Sequence, residues 1–136
     1  MTEVVLVGEE SIREDLFAFE NARRALSAYD LRSPYRNAVA LDTVSLGAAV
    51  SLLNDLGWYL ARATDDAFVR EPSVDAEEYL SRGVAEAIRD ERQSTETLGE
   101  WLKVYELEDG NLANPDIYPR EAAPEGEVQI RLQDKG

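Results

Sequence analysis

The pattern of apolar and polar positions predicts two short strands, one near each end of the chain. The run EVVLVG is rich in β-branched residues and ends in glycine, which predicts a strand over Val4–Val7. The segment GEVQIRLQ alternates apolar and polar residues, which predicts a second strand over Val128–Leu132. An isolated strand leaves its backbone groups unpaired, so we expect the two strands to pair with each other or with those of a second subunit.

The segment 8–30 has the pattern of an amphipathic helix. Ser11 followed by Glu14 fits a capping box at its start. The apolar residues then recur at steps of three and four, which predicts a single buried stripe. These residues are Ile12, Leu16, Phe19, Ala22, Leu26 and Tyr29.

The segment 38–63 is unusually apolar for this chain, and no charge occurs over 43–54. A helix that is apolar nearly all round is typically a central one, so we predict a central helix here. Two other helices would not cover it completely, and a continuous apolar patch tends to mark an interface. We therefore expect a homodimer whose possible interface consists of Leu46, Val50, Leu53 and Leu60.

The remaining pattern predicts one long third helix. Apolar residues fall at alternating four- and three-residue steps over 74–107, although Ser94 or Thr95 could instead cap a separate second helix. The following segment, 108–126, is acidic and contains proline, which predicts an irregular connection to the C-terminal strand. The expected fold is therefore mainly α. It is a single domain over 1–136 that resembles a three-helix bundle, with a long third helix and two short strands at the chain ends.

The composition excludes several kinds of site. The chain has no cysteine and no histidine, so thiolate catalysis, a histidine general base and imidazole metal ligands are all excluded. Lys103 and Lys135 are its only lysines. No catalytic, cofactor-binding or metal-binding residue is predicted, which favours a protein without enzymatic activity.

The net charge of −14 arises from 28 acidic residues against 14 basic ones. A DNA mimic or an acidic tail would also be strongly negative. Here, however, the acidic residues are spread along the chain and alternate with arginine, as in Glu20 and Arg24. The composition resembles that of cytoplasmic proteins of halophilic archaea, in which molar salt screens the repulsion between carboxylates.

The first residues, MTEVVLVGEES, lack the basic flank and the long apolar core of a signal peptide. The sequence contains no stretch of about 18 apolar residues, so no membrane span is predicted. We therefore expect a soluble, cytoplasmic protein that does not contact a membrane.

The segments EESIREDL and LLNDLGWYLARATDD resemble the all-α nucleotide pyrophosphohydrolases of the MazG type. That family places Glu-Glu-x-x-Glu on one helix and Glu-x-x-Asp on the next, so the resemblance implies a magnesium-dependent nucleotide hydrolase. Here Glu14 comes one residue late after Glu9 and Glu10, and Leu52 stands three residues before Asp55 where the family has glutamate.

Two further groups of residues suggest binding or packing. Trp58 and Trp101 lie on or beside the predicted apolar stripes, so we interpret them as packing residues. A cluster of basic and aromatic residues can bind phosphate or single-stranded nucleic acid, and one such cluster is a possible ligand patch. It consists of Arg23, Arg24, Arg32, Tyr35 and Arg36.

The interpretation favoured by these patterns is a helical interaction or oligomerisation module that forms a homodimer and binds an unknown protein partner. A nucleic-acid-associated regulator is one alternative, which is less favoured because the negative charge makes nucleic acid an unfavourable partner. The magnesium-dependent hydrolase is the other alternative.

Overall fold

The computed structural model describes residues 1–91 and 100–133. Within these residues the chain is mixed α/β, with eight strands in one sheet and four α-helices. The strands are β1 (Thr2–Val7), β2 (Arg32–Tyr35), β3 (Ala38–Thr43), β4 (Asp66–Arg70), β5 (Tyr79–Ser81), β6 (Trp101–Glu108), β7 (Asn111–Pro119) and β8 (Val128–Leu132). The helices are α1 (Ile12–Phe17), α2 (Glu20–Leu26), α3 (Leu46–Ala63) and α4 (Arg82–Arg89), and a short 3-10 helix covers Arg120–Ala122.

The strand order is β2-β3-β1-β4-β5-β8-β6-β7. The first four of these strands are antiparallel and, with α1, α2 and α3, form the βαββαβ arrangement of the ferredoxin-like motif. The second half of the chain extends this sheet from β4. It does so through an antiparallel pairing with β5 and a parallel pairing of β5 with β8.

The prediction of a mainly α, three-helix bundle is wrong. Its first error concerns the predicted central helix 38–63, whose first part is the strand β3. Four consecutive residues of β3 from Ala38 are buried, because β3 lies inside the sheet and is covered on both faces. A short apolar run of this kind has no period that distinguishes a buried strand from a buried helix. The helix α3 begins only after Ser45, whose hydroxyl accepts a hydrogen bond from the amide of Ala48.

The predicted long helix 74–107 is also wrong. Over its described residues the chain forms β5, α4 and β6. The alternative start of a second helix at Ser94 or Thr95 lies outside the described residues. The helical spacing was coincidental in β6, where Leu102 and Val104 alternate with Lys103 as in a strand.

The segment 108–126, predicted to be irregular, contains the strand β7. Asp109 and Gly110 form the two-residue turn between β6 and β7, and both have positive φ (52° and 83°). Asp-Gly is a strong signal for this type of hairpin turn. A side chain at Gly110 would also collide with Arg36, whose Cδ lies 2.7 Å from the position of an added Cβ.

The predicted helix within 8–30 is present as two helices, α1 and α2, separated at Ala18 and Phe19. The predicted capping box is absent at Ser11. Its backbone is not extended (φ −87°, ψ 12°), and its hydroxyl donates to the Asp15 carboxylate instead of capping the helix.

The two end strands are present as β1 and β8, but they do not pair with each other. β1 lies between β3 and β4, and β8 lies between β5 and β6. The predicted pairing assumed that the chain had no other strands.

The two faces of the sheet have separate cores. One face packs against the helices, with Val4 and Leu6 of β1 among its buried residues. Val5 and Val7 point to the opposite face, where they pack with Phe68 and other sheet residues. The apolar run in β1 is continuous because both of its faces are buried.

The sheet curls so that its two outer hairpins meet. Asn37, in the turn between β2 and β3, donates to the carbonyl of Leu112 and accepts from its amide, both at 2.9 Å. The amide of Arg36 donates to the carbonyl of Gly110 at 2.8 Å. These bonds, which we call the hairpin clasp, join strands from opposite ends of the sheet order. They enclose the second core.

Candidate interaction surface

One face of α3 is buried against the sheet, and the other forms an exposed stripe. The buried row includes Leu52, Leu53 and Leu56. The exposed positions recur at steps of three and four, which places them along one side of the helix. These positions, which we call the α3 stripe, are Ser51, Asn54, Asp55, Trp58, Ala61 and Arg62.

Trp58 lies in this stripe with 55% of its surface exposed. Its ring is 5.6 Å from that of Phe19 in an edge-to-face arrangement, and 5.1 Å from that of Tyr59. The Arg62 guanidinium lies over the indole, 3.4 Å from the ring centroid. We call Phe19, Trp58, Tyr59 and Arg62 the aromatic patch.

The local fold explains how these side chains come together. The backbone of Phe19 is extended (φ −95°, ψ 118°), which interrupts the helical segment between α1 and α2. Phe19 packs against Tyr59 on α3, with 5.4 Å between ring centroids. Asn21 at the start of α2 donates to the Tyr59 hydroxyl at 3.0 Å. Arg62 also donates to the carbonyl of Trp58 at 2.9 Å, so its guanidinium is held at the ring.

Trp58 had been interpreted as a packing residue, yet more than half of its surface is exposed. The sequence nevertheless indicated that position 58 is exposed. Trp58 follows Asp55 and precedes Arg62 at helical spacing, so it belongs to the polar row of the helix. Trp101, interpreted in the same way, is half-buried in β6.

The residues predicted as a possible interface are mostly covered within the chain. Val50, Leu53 and Leu60 are 3%, 1% and 3% exposed, and all three lie in the core beneath the helices. Leu46 is half-buried and packs against the same core. The homodimer stays a prediction, and it would have to use other residues.

Two members of the predicted ligand patch, Arg23 and Arg24, are exposed on α2. Arg24 pairs with Glu20 at 2.9 Å, one helical turn away. A pair this exposed contributes little to stability.

Arg32 lies on β2 and contacts two carboxylates. Its guanidinium is 2.7 Å from Glu3 and 3.0 Å from Asp42. The hydrogen bonds from Arg32 to Asp42 and Glu3 raise the pKa of the guanidinium above its ordinary value. Glu3 also pairs with Arg70 at 3.1 Å, so this cation belongs to an extended ion-pair network.

Tyr35 and Arg36 contact different acidic residues. The Tyr35 hydroxyl donates to Glu127 at 3.0 Å, and burial together with that carboxylate raises the pKa of the phenol. Arg36 pairs with Glu10 at 2.9 Å. Among the described residues, no side-chain hydrogen bond joins two of the five members of the predicted ligand patch. The patch therefore stays a prediction.

An ion-pair network that the sequence did not predict joins the segment before β5, the strand β8 and the 3-10 helix after β7. Arg131 contacts Glu78 at 2.8 Å and Asp75 at 2.7 Å. Arg120 forms two hydrogen bonds with Glu78, at 2.9 and 2.7 Å. These partners are 42 to 56 residues apart in sequence, so no local pattern reveals them.

Burial alone would raise the pKa of the Glu78 carboxyl, but hydrogen bonds from Arg120 and Arg131 outweigh it and lower the pKa. The same balance lowers the pKa of Asp75, where the amides of Glu78 and Glu77 supply the largest opposing contributions. A catalytic acid or base would need a pKa near neutrality. These shifts instead hold the carboxylates charged, as suits a structural network.

A groove of about 410 Å³ lies between the C-terminal half of α3, the start of β4 and the start of α4. Thr64, Asp66, Ser81 and Arg82 contribute polar groups to its lining. Each of them already has a partner within the protein. Asp66, for example, pairs with Lys103 at 2.8 Å, and Arg82 donates to the carbonyl of Leu53 at 3.2 Å.

The residues that carry the resemblance to magnesium-dependent hydrolases do not form a ligand set. Across residues 1–91 and 100–133, no group of three or more acidic side chains is placed to hold a metal ion. Glu10 is paired with Arg36, and Asp55 lies in the α3 stripe. None of the described helices combines the length and the apolar character needed to cross a membrane.

Comparison with curated proteins and with solved structures finds no match for this chain. Comparison with protein families matches residues 2–107 to a family of unknown function. The matched segment runs from the start of β1 to one residue before the end of β6, and it includes the whole aromatic patch. Since the match covers more than half of the 136 residues, the chain belongs to the family of unknown function (DUF5804).

Proposed function

We propose that this protein is a non-enzymatic interaction module of a salt-adapted cell interior, and that it binds another protein molecule through the aromatic patch. The observation that carries the proposal is the 55% exposure of Trp58 within a cluster of aromatic rings and an arginine. Tryptophan, tyrosine and arginine are the residues most enriched at the energetic centres of protein interfaces. The exposed apolar surface of the tryptophan is in contact with water, and its burial by a partner would be favourable.

The arrangement of the patch supports binding. Phe19 and Tyr59 hold the indole edge-on, and Arg62 is bonded to the helix backbone. A preordered side chain loses less conformational entropy when a partner binds. Polar residues surround the rings, as in the rim of an interface. Asn54 and Asp55 lie on the same stripe one turn before Trp58.

The experiment is capture of partners from native extract in about 1 M KCl, where repulsion between carboxylates is screened. We compare the unmodified protein with Trp58→Ala and with Leu107→Ala. Leu107 is the matched control, because it is 52% exposed but lies on β6, outside the patch. We expect Trp58→Ala to lose proteins that Leu107→Ala retains. Identical protein profiles for the two variants would contradict the proposal.

The salt adaptation has a separate test. The net charge of −14 should destabilise the fold in dilute buffer through repulsion among carboxylates. We expect the melting temperature, followed by circular dichroism, to rise steeply between dilute buffer and about 1 M KCl as the Debye length falls to about 3 Å. A melting temperature that does not change over this range would reject this part of the proposal.

A further inference from the structure

We propose that the molecule bound by the aromatic patch is a second copy of this chain, with the two α3 helices antiparallel across a two-fold axis. This inference rests on the proposed function and adds the identity of the partner. It is carried by the position of two charges on the α3 stripe, Asp55 and Arg62, on either side of Trp58.

Asp55 and Arg62 are seven residues apart, which is about two helical turns, so they lie on the same side of the helix. A two-fold axis that passes between positions 58 and 59 reverses the order of the stripe. Asp55 of each copy then faces Arg62 of the other. A two-fold interface requires such self-complementarity, since the same surface is used on both sides.

The ion-pair pattern of the protein supports this pairing. Arginines such as Arg32, Arg36 and Arg131 contact carboxylates within the chain. Among the described residues, in contrast, neither Asp55 nor Arg62 forms an ion pair. Arg62 bonds to the carbonyl and the ring of Trp58, which leaves its remaining N–H groups available to a carboxylate from another molecule.

The shape of the stripe also suits helix packing. Packed helices approach to about 8–10 Å between axes, which requires small side chains at some contact positions. Ala61 is a small exposed residue of the stripe, and it lies between Trp58 and Arg62, within the part of the helix that would face the other copy. The tryptophan would occupy the centre, where a large aromatic residue contributes most to binding.

The charge of the whole chain sets the conditions under which the dimer forms. Two chains of charge −14 repel each other, and this repulsion acts over the whole surface, whereas the proposed interface contains only two ion pairs. Salt screens the exposed charges more strongly than the pairs enclosed in an interface. The dimer should therefore form more readily as the salt concentration rises.

The test is sedimentation of the full chain in about 1 M KCl, with charge reversals at the two positions. The unmodified protein should sediment at about twice 15.2 kDa. Asp55→Arg and Arg62→Asp each place like charges opposite one another, and each should raise the dimer dissociation constant by about 10-fold or more. The double variant Asp55→Arg with Arg62→Asp restores opposite charges and should restore the dimer.

Reversals of the exposed Glu20–Arg24 pair on α2 are the matched controls. Glu20→Arg and Arg24→Asp change the net charge by the same amounts as the test reversals, and they should leave the dimer intact. The melting curve of every variant verifies that it folds. The double variant keeps the test valid, because a folding defect in one single variant would not be corrected by the second reversal.

Two outcomes would overturn the inference. One is a monomer of 15.2 kDa for the unmodified protein, and the other is a dimer that neither single reversal weakens or that the double variant fails to restore. If the protein is monomeric but Trp58→Ala still loses captured partners, the proposed function stands and only the identity of the partner is wrong. If neither a dimer nor a Trp58-dependent partner is found, both proposals fail.

Discussion

The two faces of the sheet are buried by different means. The helices cover one face, and Leu53 and Leu56 of α3 lie in its core. The opposite face has no helix over it among the described residues, and the sheet encloses that core by curling until the hairpin clasp forms. The helix-covered core is closed by apolar contacts, whereas the second core combines apolar contacts with a few polar bonds that join distant hairpins. The second core should therefore be sensitive to loss of a single polar group.

The largest effect expected from a single substitution is on the helix-covered face. Leu53→Asp places a carboxylate where the side chain is 1% exposed, among apolar neighbours. Loss of burial and the cost of desolvating the charge should together lower the free energy of unfolding by about 5 kcal/mol. We expect no cooperative melting transition by circular dichroism at molar salt.

The substitution Val44→Asp is the control, because Val44 is 82% exposed and lies before α3, outside the α3 stripe. It should melt within about 0.5 kcal/mol of the unmodified protein. A folded, monomeric Leu53→Asp variant would mean that Leu53 lies in an interface between subunits and not in the core.

The second prediction weakens the curl alone. Asn37→Ala removes both hydrogen bonds to Leu112. The amide and carbonyl of Leu112 are then buried without those partners. The free energy of unfolding should fall by about 2 kcal/mol, as measured by denaturant titration. Asn21→Ala is the control, since its single side-chain bond to Tyr59 is exposed. Equal losses for the two variants would show that the hairpin clasp does not hold the second core.

The third prediction concerns pH and the network at Glu78. Because the folded protein lowers the pKa of Glu78 and of Asp75, the unfolded chain binds protons at a higher pH than the folded one. The stability from these carboxylates is complete above their ordinary pKa values of about 4 and is lost as the pH falls through the folded values. The melting temperature should therefore fall between about pH 5 and pH 3.

Glu78→Gln removes one of these groups, so its melting temperature should change less over the same pH range. The exposed Glu20→Gln provides the comparison and should follow the unmodified protein. An acid profile for Glu78→Gln that is parallel to that of the unmodified protein would exclude Glu78 as a source of the pH dependence.

The smallest effect is expected at the rim of the second core. The Tyr105 hydroxyl donates to Asp66 at 2.8 Å, while Lys103 pairs with the same carboxylate. Tyr105→Phe keeps the buried ring and removes one hydrogen bond, so the loss should be about 1 kcal/mol by denaturant titration. A loss as large as that of Asn37→Ala would place Tyr105 among the groups that hold the curl.

Short-range patterns predicted the elements whose signals are local. The strand β1 was located from its β-branched run, β8 from its alternation, and most of α3 from its lack of charge. The strand β3 was missed because burial on both faces removes the alternation that identifies a strand. The order of the sheet depends on pairings between distant segments, such as Tyr79 with Ile130, for which one sequence contains no signal.

The candidate site was less accessible to sequence reasoning than the elements. Trp58 is apolar, so its type suggested the core, although its position placed it in the polar row. Phe19 reaches the patch only because the helical segment breaks at that residue, and the continuous apolar stripe concealed the break. The ion pair between Glu20 and Arg24 could be recognised in the sequence, because the two residues are one helical turn apart.

The hairpin clasp also has a kinetic consequence. Asn37 and Leu112 are 75 residues apart in sequence, so the clasp closes a long loop and can form only after the hairpin of β6 and β7 exists. The βαββαβ unit precedes that hairpin, and its four strands are joined by pairings within the unit, so it can assemble first. We therefore expect the hairpin clasp to form late in folding. Loss of Asn37 should then act mainly by accelerating unfolding, with little change in the rate at which the chain folds.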